Sequence, residues 1–439
     1  MSDYDLIIIG GGPAGLTAGL YAARANMTAV LFEAKDIGGE LLNTDLIEDW
    51  PGEESITGRL LAEKMGAHAT KFGLKIQPYS PVKKVRSEGD WKVVELEDGT
   101  VHRAYAVIVT VGGEPTKLGV PGEAEFHGRG VSYCAVCDGA FFKGEDLAVI
   151  GGGDSAFQEG LFLTRFAKNL SLVHRRTDFR AQRILQDRLL GMANVKAITP
   201  ATVKEIGGDT QVRWVDVDRD GAVERIPVGG VFVFVGFKPV GRHLFEEHID
   251  HDENGYLLTD QYMRTNIPGV YACGDTRAQL AKQVTTAVGD ATTAVLHAER
   301  YIEELKHMRR SFPEAPSATL EREVEGMKPR RFLAGQTIVR EGDPANAFFI
   351  ITRGGASVRQ NGPNGEHEIS TLGPGDFFGE IGLLSGTVRN ATVRASAPTE
   401  VLELDADGFR DLVESSQLTK ERVQASMEAR LAQSGPKAT

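Results

Sequence analysis

The chain has 439 residues, 41% hydrophobic and 25% charged, with a formal net charge of −12, the profile of an ordinary globular protein long enough for about three domains of roughly 150 residues. That acidity disfavours nonspecific adhesion to nucleic acid or anionic lipid, and no stretch approaches the ~18 consecutive apolar residues a membrane helix needs. Three cysteines, two of them in a Cys-x-x-Cys, and an N-terminus without a basic run before its apolar segment argue against a secreted disulfide framework and a signal peptide, so a cytoplasmic protein is expected.

The first element is an apolar strand, Leu6-Ile7-Ile8-Ile9, running through Gly10-Gly11-Gly12-Pro13-Ala14-Gly15 into an alanine-rich helix that ends near Arg24. A second strand, Ala29 to Phe32, ends at Glu33, completing a βαβ unit. The same grammar returns at Leu147 to Ile150, Gly151-Gly152-Gly153-Asp154-Ser155-Ala156, a helix to about Lys168 and a strand from Leu170 to Val173. Near residue 244 the chain is expected to rejoin the first fold, because Gly269-Val270-Tyr271-Ala272-Cys273-Gly274-Asp275 precedes a small-residue helix from Thr285 to about Lys306. The expected class is α/β, with two Rossmann-like dinucleotide-binding domains at 1–116 plus 244–306 and, inserted, at 117–243. Residues 307–328 are charged and contain prolines, the composition of a linker. Beyond them, short apolar runs from Phe332 to Leu404 alternate with glycine-rich turns, predicting a β-roll over 329–439 that closes with helices at Ala406 to Glu414 and Thr419 to Gln433.

The chemistry starts with the loops. Glycines at 10, 12 and 15 let backbone amides and a helix N-terminus approach a pyrophosphate, and Glu33 stands where an acid can accept from ribose hydroxyls. The second unit delivers His174-Arg175-Arg176, with Arg180 a turn later, where Glu33 stood in the first. An acid there would repel a 2′-phosphate and arginines bind it, so NADPH is preferred over NADH. Between the loops lies Cys134-Ala135-Val136-Cys137-Asp138. A Cys-x-x-Cys can cycle between dithiol and disulfide, and an adjacent carboxyl can take and return the proton released. Zinc would want about four ligands, and no second cysteine pair or nearby histidine pair supplies them. Cys273 reads as packing.

Residues 1 to about 306 resemble the low-molecular-weight thioredoxin reductases, of the pyridine nucleotide-disulfide oxidoreductase class, through Gly10 to Gly15, Gly38-Gly39, Trp50-Pro51-Gly52, Cys134 to Asp138, Gly151 to Ala156, His174 to Arg176, Phe179-Arg180-Ala181 and Gly274-Asp275. The resemblance implies FAD at Gly10, Gly12, Pro13, Ala14, Gly15, Glu33, Gly38, Gly39, Glu40, Asn43, Asp49, Gly112, Gly274, Asp275, Lys282, Gln283 and Val284. It implies NADPH at Gly151, Gly153, Asp154, Ser155, Glu159, His174, Arg175, Arg176 and Arg180. It further implies that Cys137 faces the flavin, that Cys134 attacks the disulfide of thioredoxin or a thioredoxin-like protein, that the NADPH domain rotates, and that the protein is a homodimer. The family usually has glutamine at Glu40, asparagine at Asp49 and arginine at Lys282, departures close to the expected flavin.

Downstream, Phe378-Gly379-Glu380-Ile381 and Arg389-Asn390-Ala391 resemble the phosphate-binding cassette of cyclic-nucleotide-binding domains. Backbone amides and Arg389 could neutralise a cyclic phosphate, and Glu380 could accept from a ribose hydroxyl. Cyclic AMP and cyclic GMP are both open as ligands, and so is a roll that only mediates assembly. Beside the leading expectation of a disulfide reductase regulated by a nucleotide stand a redox-signalling module and a flavin reductase serving another electron carrier.

Overall fold

In the computed structural model, which describes residues 2–362 and 365–433, the strand Ser2–Ile9 lies at the centre of the first sheet. Leu6, Ile7 and Ile8 are fully buried, as an unalternating apolar run must be when both sheet faces are covered. Parallel neighbours are Ala29–Phe32, backed by Lys75–Gln77, on one side and Val101–Val109 on the other, where antiparallel Trp91–Leu96 and Val82–Glu88 follow. Helix α1 (Pro13–Arg24) starts with proline, whose missing N–H costs nothing in a first turn, and α2 (Gly58–Lys71) packs beside it.

The chain leaves this sheet through Gly113–Pro115 and returns through Phe237–Pro239, two short strands paired antiparallel. Between them lies a separate five-stranded parallel sheet in the order Val195–Ile198, Asn169–Val173, Asp146–Gly151, Gly230–Phe234, Val131–Ser132. It carries α3 (Ala135–Asp138), α4 (Asp154–Leu163) and α5 (Arg183–Leu190), α4 ending short of the expected Lys168. Val270–Ala272 then rejoins the first sheet, Val270 standing opposite Val107. The second dinucleotide fold is therefore an insertion in the first.

Helix α6 (Val284–Ser311) is one rod of 28 residues, about 42 Å long at 1.5 Å per residue. It overruns the expected end at Lys306, and the linker expected at 307–328 is not one. After a corner at Phe312 to Pro316 the chain forms α7 (Ser317–Gly326), with Leu320 and Val324 buried. The charges that mimic a solvated linker are spent on partners. Arg309 grips Asp90 through two bonds of 2.6 Å, and Glu321 takes the fully buried Lys92 ammonium at 2.6 Å.

The C-terminal region is two four-stranded sheets. One orders Lys328–Phe332, Thr399–Asp405, Ala347–Arg353 and Phe377–Phe378, the other Thr337–Val339, Thr392–Ala395, Ala356–Gly362 and Gly365–Leu372. Helices α8 (Glu380–Ser385), α9 (Ala406–Glu414) and α10 (Gln417–Gln433) complete it. Its core is continuous with that of the first domain. Phe348 stacks on Phe409 at 4.6 Å and tilts against Phe312 at 5.9 Å, in a cluster reaching Leu305, Ala294 and Leu6. No helix among the described residues is long and apolar enough to cross a membrane.

Breaking a buried pair strands a charge and costs about 3–5 kcal/mol, whereas replacing both partners with apolar groups can be neutral. Lys92→Ala should therefore lower the melting temperature, and the Lys92→Met, Glu321→Leu double variant should recover most of the loss, as read by calorimetry.

Candidate active site and nucleotide pockets

The first loop is held by close packing. A Cβ on Gly15 would overlap the Gly10 carbonyl oxygen, so only glycine lets α1 sit this close to the strand, and Gly10 itself has φ +108°. A Cβ on Gly12, by contrast, would meet only the Gly39 Cα, at 4.0 Å, which leaves a backbone-lined groove at the start of α1, with Pro13 and Ala14 following. Glu33 caps its edge, accepting from the Gly11 amide at 2.5 Å and the Lys35 amide at 2.8 Å. Gly38 and Gly39 both adopt positive φ, and the turn they open, Gly39–Asn43, carries Glu40 and Asn43 hydrogen-bonded to each other at 3.1 Å.

From across the sheet, Gly274 and Asp275 complete this wall. Asp290, which the sequence reading missed, accepts from the Gly274 amide at 3.1 Å and from Arg277 at 3.0 Å, so α6 holds the Gly-Asp turn in place. Lys282 donates to the carbonyls of Asp275 and Arg277 at 3.0 and 2.7 Å, with its ammonium 3.8 Å from the centre of the Tyr256 ring. Gln283 and Thr286 form a reciprocal capping box that starts α6 at Val284. Gly112 has φ +64° where the chain leaves for the inserted domain, and Asp49 lies exposed. Burial raises the Glu40 and Asp275 carboxyls, Asp275 adding to Glu40 and Lys282 opposing the shift at Asp275.

In the second loop a Cβ on Gly152 would collide with the His174 ring, while nothing lies within 4 Å of one on Gly153. His174 is buried and stacked on Phe179, its pKa lowered chiefly by burial, so it forms the floor of the loop and stands apart from the exposed Arg175, Arg176 and Arg180. Asp154 accepts from the Gln182 amide and side chain at 2.7 and 3.1 Å, and Ser155 is exposed at the helix start. Backbone grooves with clear approaches, acid-edged in one domain and arginine-edged in the other, fit FAD and NADPH respectively.

Cys134 and Cys137 form a disulfide, and their sulfurs lie 3.4 and 3.8 Å from the Asn43 side-chain oxygen. The inserted domain thus presents its redox pair to the turn that borders the first loop. Ser132, absent from the sequence reading, donates to Asp138 at 2.7 Å and accepts from the Cys134 amide at 3.1 Å, tying the carboxyl to the sulfur pair. Glu123 anchors the neighbouring Tyr133 at 2.9 Å. Arg165 with Asp45, 2.9 Å apart, and Arg188 with Glu48 bridge the two domains. Glu159 of α4 is buried at this junction, and burial first, then Asp45 and Glu40, pushes its carboxyl up to about 8. Cys273 is buried, its thiol raised by desolvation, in keeping with a packing role.

In the C-terminal region Phe378, Gly379, Glu380, Ile381, Arg389, Asn390 and Ala391 line one cavity of about 80 Å³. Arg389 is buried and donates to the Gly379 and Ala347 carbonyls at 3.1 and 2.7 Å. Burial lowers its pKa, partly offset by Glu380 and Asp343. Glu380, 1% exposed, is paired with Arg430 of α10 at 2.8 Å. Nothing in the sequence marks Arg430, fifty positions away.

Residues 4–291 match the family model described as pyridine nucleotide-disulphide oxidoreductase, and residues 329–416 match the cyclic nucleotide-binding domain. The chain belongs to the pyridine nucleotide-disulphide oxidoreductases, with a cyclic nucleotide-binding domain fused behind. Within that class it belongs with the thioredoxin reductases, which use FAD and NADPH. It is 47% identical over 307 residues to the thioredoxin reductase of Listeria innocua, an alignment covering 69% of this chain and 95% of the relative, and 45% identical to that of Bacillus subtilis, covering 69% and 96%. The crystal structure of Lactococcus lactis thioredoxin reductase, 41% identical, superposes with a TM-score of 0.66 over 68% of this chain and 99% of that one.

A raised carboxyl favours the fold fully below the unfolded pKa, and the contribution is lost as pH climbs through the folded value. From the ordinary value of 4.5 to about 8, the wild type should lose stability through Glu159, whereas Glu159→Gln should not. The difference in melting temperature, variant minus wild type, should grow across that window.

Proposed function

We propose that this protein is an NADPH-dependent thioredoxin-disulfide reductase whose output is regulated by a cyclic nucleotide held in the C-terminal domain. The observation that carries the reading is the contact of the Cys134–Cys137 sulfurs with Asn43, beside the first nucleotide groove. Bound FAD would supply the two-electron carrier between the nicotinamide and that disulfide. Once the pair is reduced, the Cys134 thiolate attacks the disulfide of thioredoxin or a thioredoxin-like protein. The first partner sulfur leaves and is protonated. Cys137 then attacks Cys134, closing the internal disulfide and releasing the second partner thiol. Asp138, held by Ser132, is placed to take the proton that Cys137 loses.

Both the thiols and the NADPH loop belong to the inserted domain, so we propose that it turns about the paired strands Gly113–Pro115 and Phe237–Pro239 between catalytic half-reactions. The domain-bridging ion pairs favour the orientation in which the sulfurs face Asn43. Self-association through the flavin domain is part of the proposal, on the resemblance alone.

In the C-terminal cavity, Arg389 and the Gly379 turn would receive a cyclic phosphate and Glu380 a ribose hydroxyl. Ligand pockets commonly measure about 300–1,000 Å³, so a cavity of about 80 Å³ must open first. Arg430 occupies the very carboxylate the ribose needs. On this reading nucleotide entry exchanges one partner of Glu380 for another.

Cys134→Ser should abolish NADPH-driven thioredoxin reduction while FAD still binds, and retained turnover would remove the assigned chemistry. Calorimetry with cyclic AMP and cyclic GMP should detect binding to the wild type and none to Arg389→Ala. Arg430→Ala should bind about tenfold more tightly, an exchange worth ~1.4 kcal/mol, because no internal pair has to be broken.

A further inference from the structure

We infer that helix α6 is the mechanical link between the flavin site and the C-terminal cavity, so that the oxidation state of one and the occupancy of the other shift each other's equilibrium. The inference rests on the nucleotide reading of that cavity. Both ends of the helix are built into a site. At its start, Asp290 holds the Gly274-Asp275 turn and Gln283 caps the first turn. At its end, Ser311 donates to the Gly375 carbonyl at 3.0 Å, and Phe312 stacks on Phe377 with ring centres 5.4 Å apart. Phe377 directly precedes Phe378, Gly379 and Glu380 in the cavity wall.

The link continues to the cation that blocks the cavity. The Arg430 guanidinium, paired with Glu380, lies 5.1 Å from the centre of the Phe377 ring. If a ribose hydroxyl displaces Arg430, the ring that Phe312 rests on loses that neighbour. Phe312 is fully buried and Phe377 nearly so, and a close-packed interior passes on a shift because it has no voids to absorb one. Along its length α6 is fixed to its surroundings. Arg309 holds Asp90 at 2.6 Å and Arg300 the Met327 carbonyl at 2.9 Å. A displacement at Phe312 is therefore passed along the unbroken helix and through these ties into the flavin domain, where a flexible tether would let it decay. By linkage the coupling runs equally in both directions.

The test uses the full-length, FAD-loaded protein, oxidised or reduced anaerobically with dithionite, titrated calorimetrically with cyclic AMP and with cyclic GMP. The dissociation constant of the nucleotide that binds should differ between the two states by about fivefold or more, the lower end of typical couplings. Ser311→Ala and Phe312→Leu should bring that ratio towards one while keeping the oxidised-state constant within about twofold. Ser311→Ala removes a single hydrogen bond and serves if the Phe312 variant does not fold. Equal affinity in the two wild-type states overturns the coupling and leaves the nucleotide reading intact. Absence of binding by either nucleotide at millimolar concentration overturns both. A ratio unchanged in both folded variants overturns the assignment to α6.

Discussion

The Cys134–Cys137 pair and the NADPH loop ride on one inserted domain, joined to the rest of the chain by two paired strands of three residues each. This constraint governs everything else in the N-terminal two thirds. One rigid body cannot place both its sulfurs and its nicotinamide groove against the same turn at once. In the orientation seen, the sulfurs occupy that place, within 3.8 Å of Asn43. The contacts that hold the orientation are polar and partly exposed, Arg165 on Asp45 and Arg188 on Glu48. Exposed pairs of this kind contribute about 0–1 kcal/mol each, enough to favour this orientation without locking it.

The same junction gathers carboxyls. Glu40, Asp275 and Glu159 are all raised by burial, and Glu40 is acidic where the family usually has glutamine. Acids crowded in a low-dielectric cleft resist ionisation together. The effect is largest at Glu159, whose carboxyl is pushed up to about 8, so this one group of the inserted domain meets Asp45 and Glu40 without adding a full negative charge at neutral pH.

The fusion to the C-terminal domain is of another kind. Composition alone argues for a flexible tether at 307–328, because proline and mixed charge are what solvated linkers contain. The folded chain instead places those charges against Asp90 and Lys92, and α7 covers apolar surface that α6 would otherwise expose. An aromatic cluster of Phe312, Phe348, Phe377 and Phe409 merges the two cores. A domain attached in this way is packed against its neighbour and does not hang from a tether.

Much was legible in the sequence. Both nucleotide loops, the redox pair between them, the return to the first fold near residue 244, where Leu244 and Ile249 join its core, and the Ala406–Glu414 helix depend on apolar runs and glycine spacings that act over a few residues, and such local signals survive in one dimension. Grouping the cavity residues around Gly379 and Arg389 was legible for the same reason. What only the tertiary structure decided are the partnerships between distant groups. Glu380 meets Arg430 from fifty positions away and Lys92 meets Glu321 from 229. His174 turns inward beneath Gly152 while the arginines after it face solvent. Whether a charge is solvated or paired depends on which surfaces pack together, and that is settled by burial across the whole chain.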